Sequence, residues 1–152
     1  MKFISQGAQY AISAIIAISK HPLDVISAAE LARSLNCPAA YLSQILAKLK
    51  TPAILKSQRG LRGGVYLTKD LKDISIYEVI VAIDGDAFFK NCFMGIEGCG
   101  HIEPCPFHLF WSIERDNIKT WLQKTNFENI DKLMTQAWFE QNLSFISLIH
   151  NK

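Results

Sequence analysis

The chain has 152 residues, 49% of them apolar and 20% charged, with a formal net charge of +2. That is enough apolar material for a real core, which excludes intrinsic disorder, and four cysteines are too few for a disulfide scaffold. The charge is unevenly spread: residues 1–70 carry nine Lys/Arg against three Asp/Glu, and residues 71–152 carry seven against eleven. A basic half joined to an acidic half implies a polyanionic partner for the first half only.

From Phe3 to Ser19 no residue is charged. The uninterrupted apolar stretch, Ala14 to Ile18, is shorter than a secretory h-region and too short to span a bilayer. The segment therefore predicts a buried helix over about 3–20, stopped by His21-Pro22, in a cytoplasmic protein whose clustered thiols bind metal or sense redox state. Ser27-Ala28-Ala29-Glu30 reads as a capping box opening a short helix with Leu31 and Leu35 turned inward. Asn36-Cys37-Pro38 breaks it, and Pro38 suits the first position of a new helix. That helix carries Tyr41, Leu42, Ile45, Leu46 and Leu49 at helical spacing and ends before Pro52. Two short helices around a tight turn make a helix-turn-helix candidate.

Ile54–Ser57 and Val65–Thr68 are strand-like and flank Arg59-Gly60-Leu61-Arg62-Gly63-Gly64, which predicts a hairpin. Ser75-Ile76-Tyr77-Glu78 is a second capping box, opening a helix to about Asp84. Residues 85–106 form a loop bearing glycines and cysteines, a long helix begins near Phe107, and Thr125 to Glu128 cap one more toward the C-terminus. The expected fold is mainly α: a winged helix-turn-helix over 1–84 with a two-stranded β wing, a cysteine loop over 85–106, and helices over 107–152.

Between Lys48 and Lys69 the chain has Lys48, Lys50, Lys56, Arg59, Arg62 and Lys69 and no acid. A solvated basic face is the bland reading of such a run. The helix-turn-helix pattern just upstream favours duplex DNA, because the second helix of that motif enters the major groove. Its outward face is expected to show Ala39, Ala40, Tyr41, Ser43, Gln44 and Lys48. The Gln44 amide can pair with an adenine edge, and Tyr41 can reach a phosphate or a thymine methyl. Arg59 and Arg62 on the glycine-rich wing tip suit a narrow minor groove.

Cys92, Cys99 and Cys105 are spaced C-x6-C-x5-C, and His108 follows as C-x2-H. Three soft thiolates plus an imidazole suit zinc or an iron–sulfur cluster, and the flanking glycines let the backbone fold around one centre. His101 and Glu103 compete for the fourth position, but His108 stands at the start of the long helix and is preferred. Cys37 is read as a small, half-buried apolar residue. No H-E-x-x-H or similar pairing is present, so an enzyme is not expected.

Met1-Lys2-Phe3, Tyr10-Ala11-Ile12, Tyr41-Leu42-x-Gln44, Arg59-Gly60-x-x-Gly63-Gly64-x-Tyr66 and the three loop cysteines together resemble the IscR/NsrR-type iron–sulfur winged helix-turn-helix regulators, over about residues 1–125. The resemblance implies a homodimer paired through the long helix, where Phe107, Trp111, Ile118 and Trp121 follow a spacing near 3.5. It implies binding to imperfectly palindromic double-stranded operators, with no membrane involvement. It also implies a cluster held by Cys92, Cys99 and Cys105 plus one non-cysteine ligand, which falls on His108. NsrR-like members use an acid from the first helix. Here that position is Gln9, a poor ligand, which favours [2Fe–2S] over [4Fe–4S]. A structural zinc or a cluster-free thiol switch at the same cysteines is the alternative. Ser43 stands where IscR-like members often carry an acid. From about Asn126 onward, Trp138, Phe139, Phe145 and Ile149 mark a helical extension outside the resemblance, with the periodicity of a cover for an apolar surface.

Overall fold

Ser5 sets the start of the first helix, because its extended backbone turns its hydroxyl onto the Ala8 N–H at 3.0 Å. The computed structural model, which describes residues 3–21, 24–135, 137, 138 and 141, accordingly begins α1 at Gln6 and ends it at Ser19. Helices α2 (Ala28–Ser34) and α3 (Ala39–Lys50) follow, α2 capped by Ser27 accepting from the Glu30 N–H at 3.1 Å. Asn36, at φ 47°, makes the turn between them, and Pro38 stands just outside α3 as its cap rather than as its first residue.

Strands β1 (Leu55–Gln58) and β2 (Gly64–Leu67) pair antiparallel, with Leu55 opposite Leu67 and Gln58 opposite Gly64. The hairpin is shifted one residue from the predicted strands because Ile54 is wholly buried and turns its N–H to the Leu49 carbonyl, leaving only its own carbonyl to accept from the Thr68 N–H at the ladder's end. Ile26 pairs with Val65 through two backbone bonds of 2.8 and 3.1 Å, adding a one-residue third rung. Gly64 is required there, since a Cβ would collide with the Ile26 carbonyl. The observed order of three helices and a two-stranded wing is the predicted winged helix.

Helix α4 (Ile76–Asp84) is capped by Ser75, but the expected return bond from Glu78 is replaced by an ion pair to Lys69 at 2.6 Å. Helix α5 (His108–Lys124) is followed by α6 (Phe127–Leu133), where Asn126 and Asn129 form a complete capping box. The core centres on α1, whose Ala8, Ala11, Ala14, Ile15 and Ile18 are buried between Leu42, Ile45 and Leu49 of α3 and Val79, Ile80 and Ile83 of α4. Leu122 and Phe127 enter the same core, and backbone bonds Ile76 N to Thr125 O and Phe127 N to Ile74 O tie α6 to the start of α4. Phe127 is therefore a core residue rather than a cover. Trp138 is exposed, and Phe139, Phe145 and Ile149 lie outside the described residues.

The predicted α5 seam divides between two faces. Trp111 is half-buried edge-on to Phe88 and Phe93, and Ile118 packs on the core. The outward stripe is Phe110, Ile113, Asn117 and Trp121, whose apolar members are each more than half exposed. At 100° per residue these four positions span about 80°, the same width as the predicted set, but the stripe is rotated about 80° around the helix from it and shares only Trp121.

Candidate metal centre and nucleic-acid interface

The cysteine loop runs between a 3-10 turn, Ala87–Phe89, and the first residue of α5, His108. Its turns pass through positive φ at Gly95, Gly98 and Gly100, and they bring the sulfurs of Cys92, Cys99 and Cys105 within 4.8 Å of one another. Cys92 and Cys105 are 3.5 Å apart. The Met94 N–H donates to the Cys92 sulfur and the Cys105 N–H to the Cys99 sulfur, both at 3.3 Å. His108 meets the group through Cys99, with Nδ1 3.6 Å from Sγ. Gly100, at φ +93°, lies against this imidazole, and a Cβ there would collide with the ring. The loop can close over His108 only with glycine at that position.

Burial works against a charged Cys92. The N–H groups of Ile96 and Met94, with the Cys105 and Cys99 thiols, outweigh it and bring its pKa down to about 7. Cys105 moves the other way, raised by burial and by its two sulfur neighbours. One thiol of the set is thus prepared for deprotonation ahead of its partner. Cys37 is apart from them in the α2–α3 corner, buried, with its thiol pushed up by desolvation. Of the competing fourth ligands, His101 lines the same cavity of about 200 Å³ as Cys92, Cys99 and His108, whereas Glu103 is exposed and Gln9 is not among the residues lining it.

Two residues of α5 hold the loop to it: Trp111, which the sequence pattern placed in the pairing seam, and Arg115, which it did not single out. The Trp111 indole N–H donates to the Asn91 carbonyl at 2.9 Å. Arg115 Nη1 donates to the carbonyls of Lys90 and Asn91 at 2.9 and 3.1 Å. The only sequence signal for this pair is their i, i+4 placement on one helix face.

On the basic side, Ala39, Ala40, Ser43, Gln44 and Lys48 of α3 are exposed, as are Arg59 and Arg62 between the strands. Tyr41 is not turned fully outward. Its ring meets Tyr10 edge-on at 5.9 Å and its hydroxyl lies against Gly7 of α1. Lys48 extends from α3 to donate to the Ile83 carbonyl at 3.1 Å, near the end of α4. Lys69 is taken out of the basic run by its pairing with Glu78. Gln44, Arg59 and Arg62 thus carry their polar ends to solvent, and Tyr41 and Lys48 are partly engaged within the protein.

Residues 4–132 match the family model Rrf2, described as an iron-dependent transcriptional regulator. The HTH-type transcriptional regulator IscR of Photorhabdus laumondii is 29% identical over 131 residues, 86% of this chain and 79% of that protein. Among solved structures, CymR (YrzC), the global cysteine regulator of B. subtilis, superposes with a TM-score of 0.70 at 26% identity, covering 89% of this chain and all of that one. T. potens IscR superposes with a TM-score of 0.72 at 20% identity, covering 95% and 96%, which bears on fold alone. The winged helix, the outward basic face and the converging loop sulfurs agree with these likenesses, and the chain is a transcriptional regulator of the Rrf2 family, not an enzyme.

Proposed function

We propose that this regulator is a cytoplasmic homodimer that binds an imperfectly palindromic double-stranded operator, with an iron–sulfur cluster at Cys92, Cys99, Cys105 and His108 controlling that binding. The carrying observation is the convergence of three loop sulfurs within 4.8 Å, beside an imidazole, at the head of α5. The donor set fits: three soft thiols, two of them already accepting backbone N–H groups, with a glycine cradle around the histidine. His108 favours [2Fe–2S] over [4Fe–4S]. When bound, the group supplies one-electron chemistry and a ligand field that is lost with its iron.

The chain's own residues do the rest. Residues 1–84 carry the duplex contacts, 85–106 the thiols, and 107–152 the pairing surface. Ala40, Ser43 and Gln44 face the major groove, Tyr41 and Lys48 set the pose of α3 and reach phosphates, and Arg59 and Arg62 follow the minor groove. A loop tied directly to α5 changes the separation of two half-sites when it rearranges. A bias of about 5.5 kcal/mol suffices to carry such an equilibrium from 1:99 to 99:1. The test is anaerobic reconstitution with iron and sulfide assays and a visible spectrum, followed by operator titration with and without the cluster. Identical operator affinity in both states rejects cluster control.

A second reading, a thiol switch without a cluster, is favoured by Cys92 and Cys105 standing 3.5 Å apart with one thiol already near neutrality. Reversible loss of two free thiols on oxidation, in a colourless and iron-free protein, would select it. Stoichiometric zinc in a colourless protein would select a structural metal.

A further inference from the structure

Arg115 is an unusual residue for its surroundings. Its side chain is 17% exposed, its Nε is wholly buried without a hydrogen-bond partner, and Asp116, at 4.0 Å, is its only carboxylate neighbour within salt-bridge distance among the described residues. A largely buried guanidinium with neutral acceptors and one distant, exposed acid has a poorly compensated charge, which is costly unless something nearby offsets it. Two observations locate that compensation. Nη1 is bonded to the two carbonyls immediately before Cys92, those of Lys90 and Asn91. Arg115 also lines the same cavity as Cys92, Cys99 and His108, where deprotonated sulfur would supply negative charge.

We propose that Arg115 is the positioning residue of the cysteine centre. It fixes the Lys90–Asn91 backbone and thereby places the Cys92 sulfur, with its cation on the wall of the thiolate pocket. Trp111 supports it by donating to the same Asn91 carbonyl. The centre is then fixed to α5 at both ends: Cys105 reaches α5 along the chain at His108, and Cys92 reaches it through the Asn91 carbonyl, held by Arg115 24 residues further along the chain. This deepens the cluster reading and rests on it for the role of the charge, while the placement of Cys92 stands on the hydrogen bonds alone.

The experiment compares the wild-type full chain with Arg115→Gln, Arg115→Lys and Trp111→Phe in two states. In the metal-free protein, hydrogen exchange is read at residues 91–95. Arg115→Gln is expected to accelerate it about fivefold or more, the scale of one or two lost hydrogen bonds, while α1–α4 stay unchanged. Arg115→Lys, which keeps a donor and the charge, restores protection toward wild type, and Trp111→Phe gives a smaller acceleration at the same residues. In the reconstituted protein, the lifetime of the visible absorption under a chelator shortens in the same order. Unchanged exchange at 91–95 in Arg115→Gln overturns the proposal whatever the cluster does. Faster exchange with an unaltered cluster lifetime overturns the link to the centre. Should Arg115→Gln fail to fold, the Arg115→Lys and Trp111→Phe pair decides by the same two readings. A wild-type chain that takes up no cluster defeats the proposed function, and the exchange measurement still settles the placement of Cys92.

Discussion

At the scale of the residue, the centre depends on one missing methyl group. Gly100 is both in the left-handed region and against the His108 ring, so Gly100→Ala is strained twice, by backbone and by contact. It should leave the helical circular dichroism intact and sharply lower the iron held per chain, because the imidazole must leave Cys99 to admit the new carbon. The cysteines themselves should differ in reactivity. With the Cys92 pKa near 7, about half of that thiol is thiolate at neutral pH, while the buried Cys37 is held protonated and shielded. In metal-free protein, iodoacetamide should modify Cys92 first, with a rate climbing through pH 6–8, and Cys37 last, as read by peptide mass spectrometry. Equal labelling of the two would show that the backbone N–H groups around Cys92 do not favour its charged form.

At the scale of the element, the proposed duplex contacts divide between amide chemistry on α3 and guanidinium chemistry on the wing. Gln44→Ala should relax base preference at one position by about 1–3 kcal/mol, since a bidentate amide contact to an adenine edge is lost. Arg59→Ala should weaken all sequences alike and flatten the salt dependence of binding by about one unit, as one counterion fewer is released. Titrations of an operator panel at three salt concentrations separate the two effects, and a Gln44→Ala profile identical to wild type would remove α3 from the groove. The elements themselves were legible because their signals are local. Ser27 and Ser75 cap helices three residues away, Asn36 and Pro38 break one helix and admit the next, and the apolar period of Leu42, Ile45 and Leu49 marks a buried face. The C-x6-C-x5-C spacing with its glycines likewise pointed to three cysteines whose sulfurs converge. What was not legible is tertiary. Tyr41 turns to Tyr10 and Lys48 spans 35 residues to the Ile83 carbonyl, so exposed-looking positions are partly used within the fold. Lys69, predicted as part of the phosphate-facing run, is held by Glu78 of α4. Arg115 carries no motif at all and Trp111 was read only as a seam residue, because their partners are main-chain carbonyls, which look alike at every position of a sequence.

At the scale of the whole molecule, α5 is occupied along one side, by the cysteine loop over its N-terminal half and by the core over its C-terminal half, and exposed along the other. Its inner side packs on the core through Ile118 and Leu122, its N-terminal half holds the cysteine loop through Trp111 and Arg115, and its outer stripe leaves Phe110, Ile113 and Trp121 exposed. A stripe of large apolar side chains along one helix is the surface a second copy would cover, and Asn117 within it can fix the register of a symmetric pair. The same helix would then join two thiol centres and two reading heads, so pairing and operator affinity should fail together. Ile113→Glu tests this with little cost to the single chain, because Ile113 is already half exposed there. Across a two-fold axis, by contrast, the substitution sets two carboxylates against each other in an apolar seam, where neither has a partner. Sedimentation should show a monomer with unchanged helical content. Affinity for the full palindrome should fall by about 10²–10⁴-fold, toward that of an isolated half-site, because the second head no longer binds at high effective concentration. The salt dependence should fall to about half, since each chain then releases only its own counterions. A dimer that survives Ile113→Glu with its operator affinity intact would move the pairing surface away from α5, and would also sever the path by which the cysteine loop alters half-site spacing.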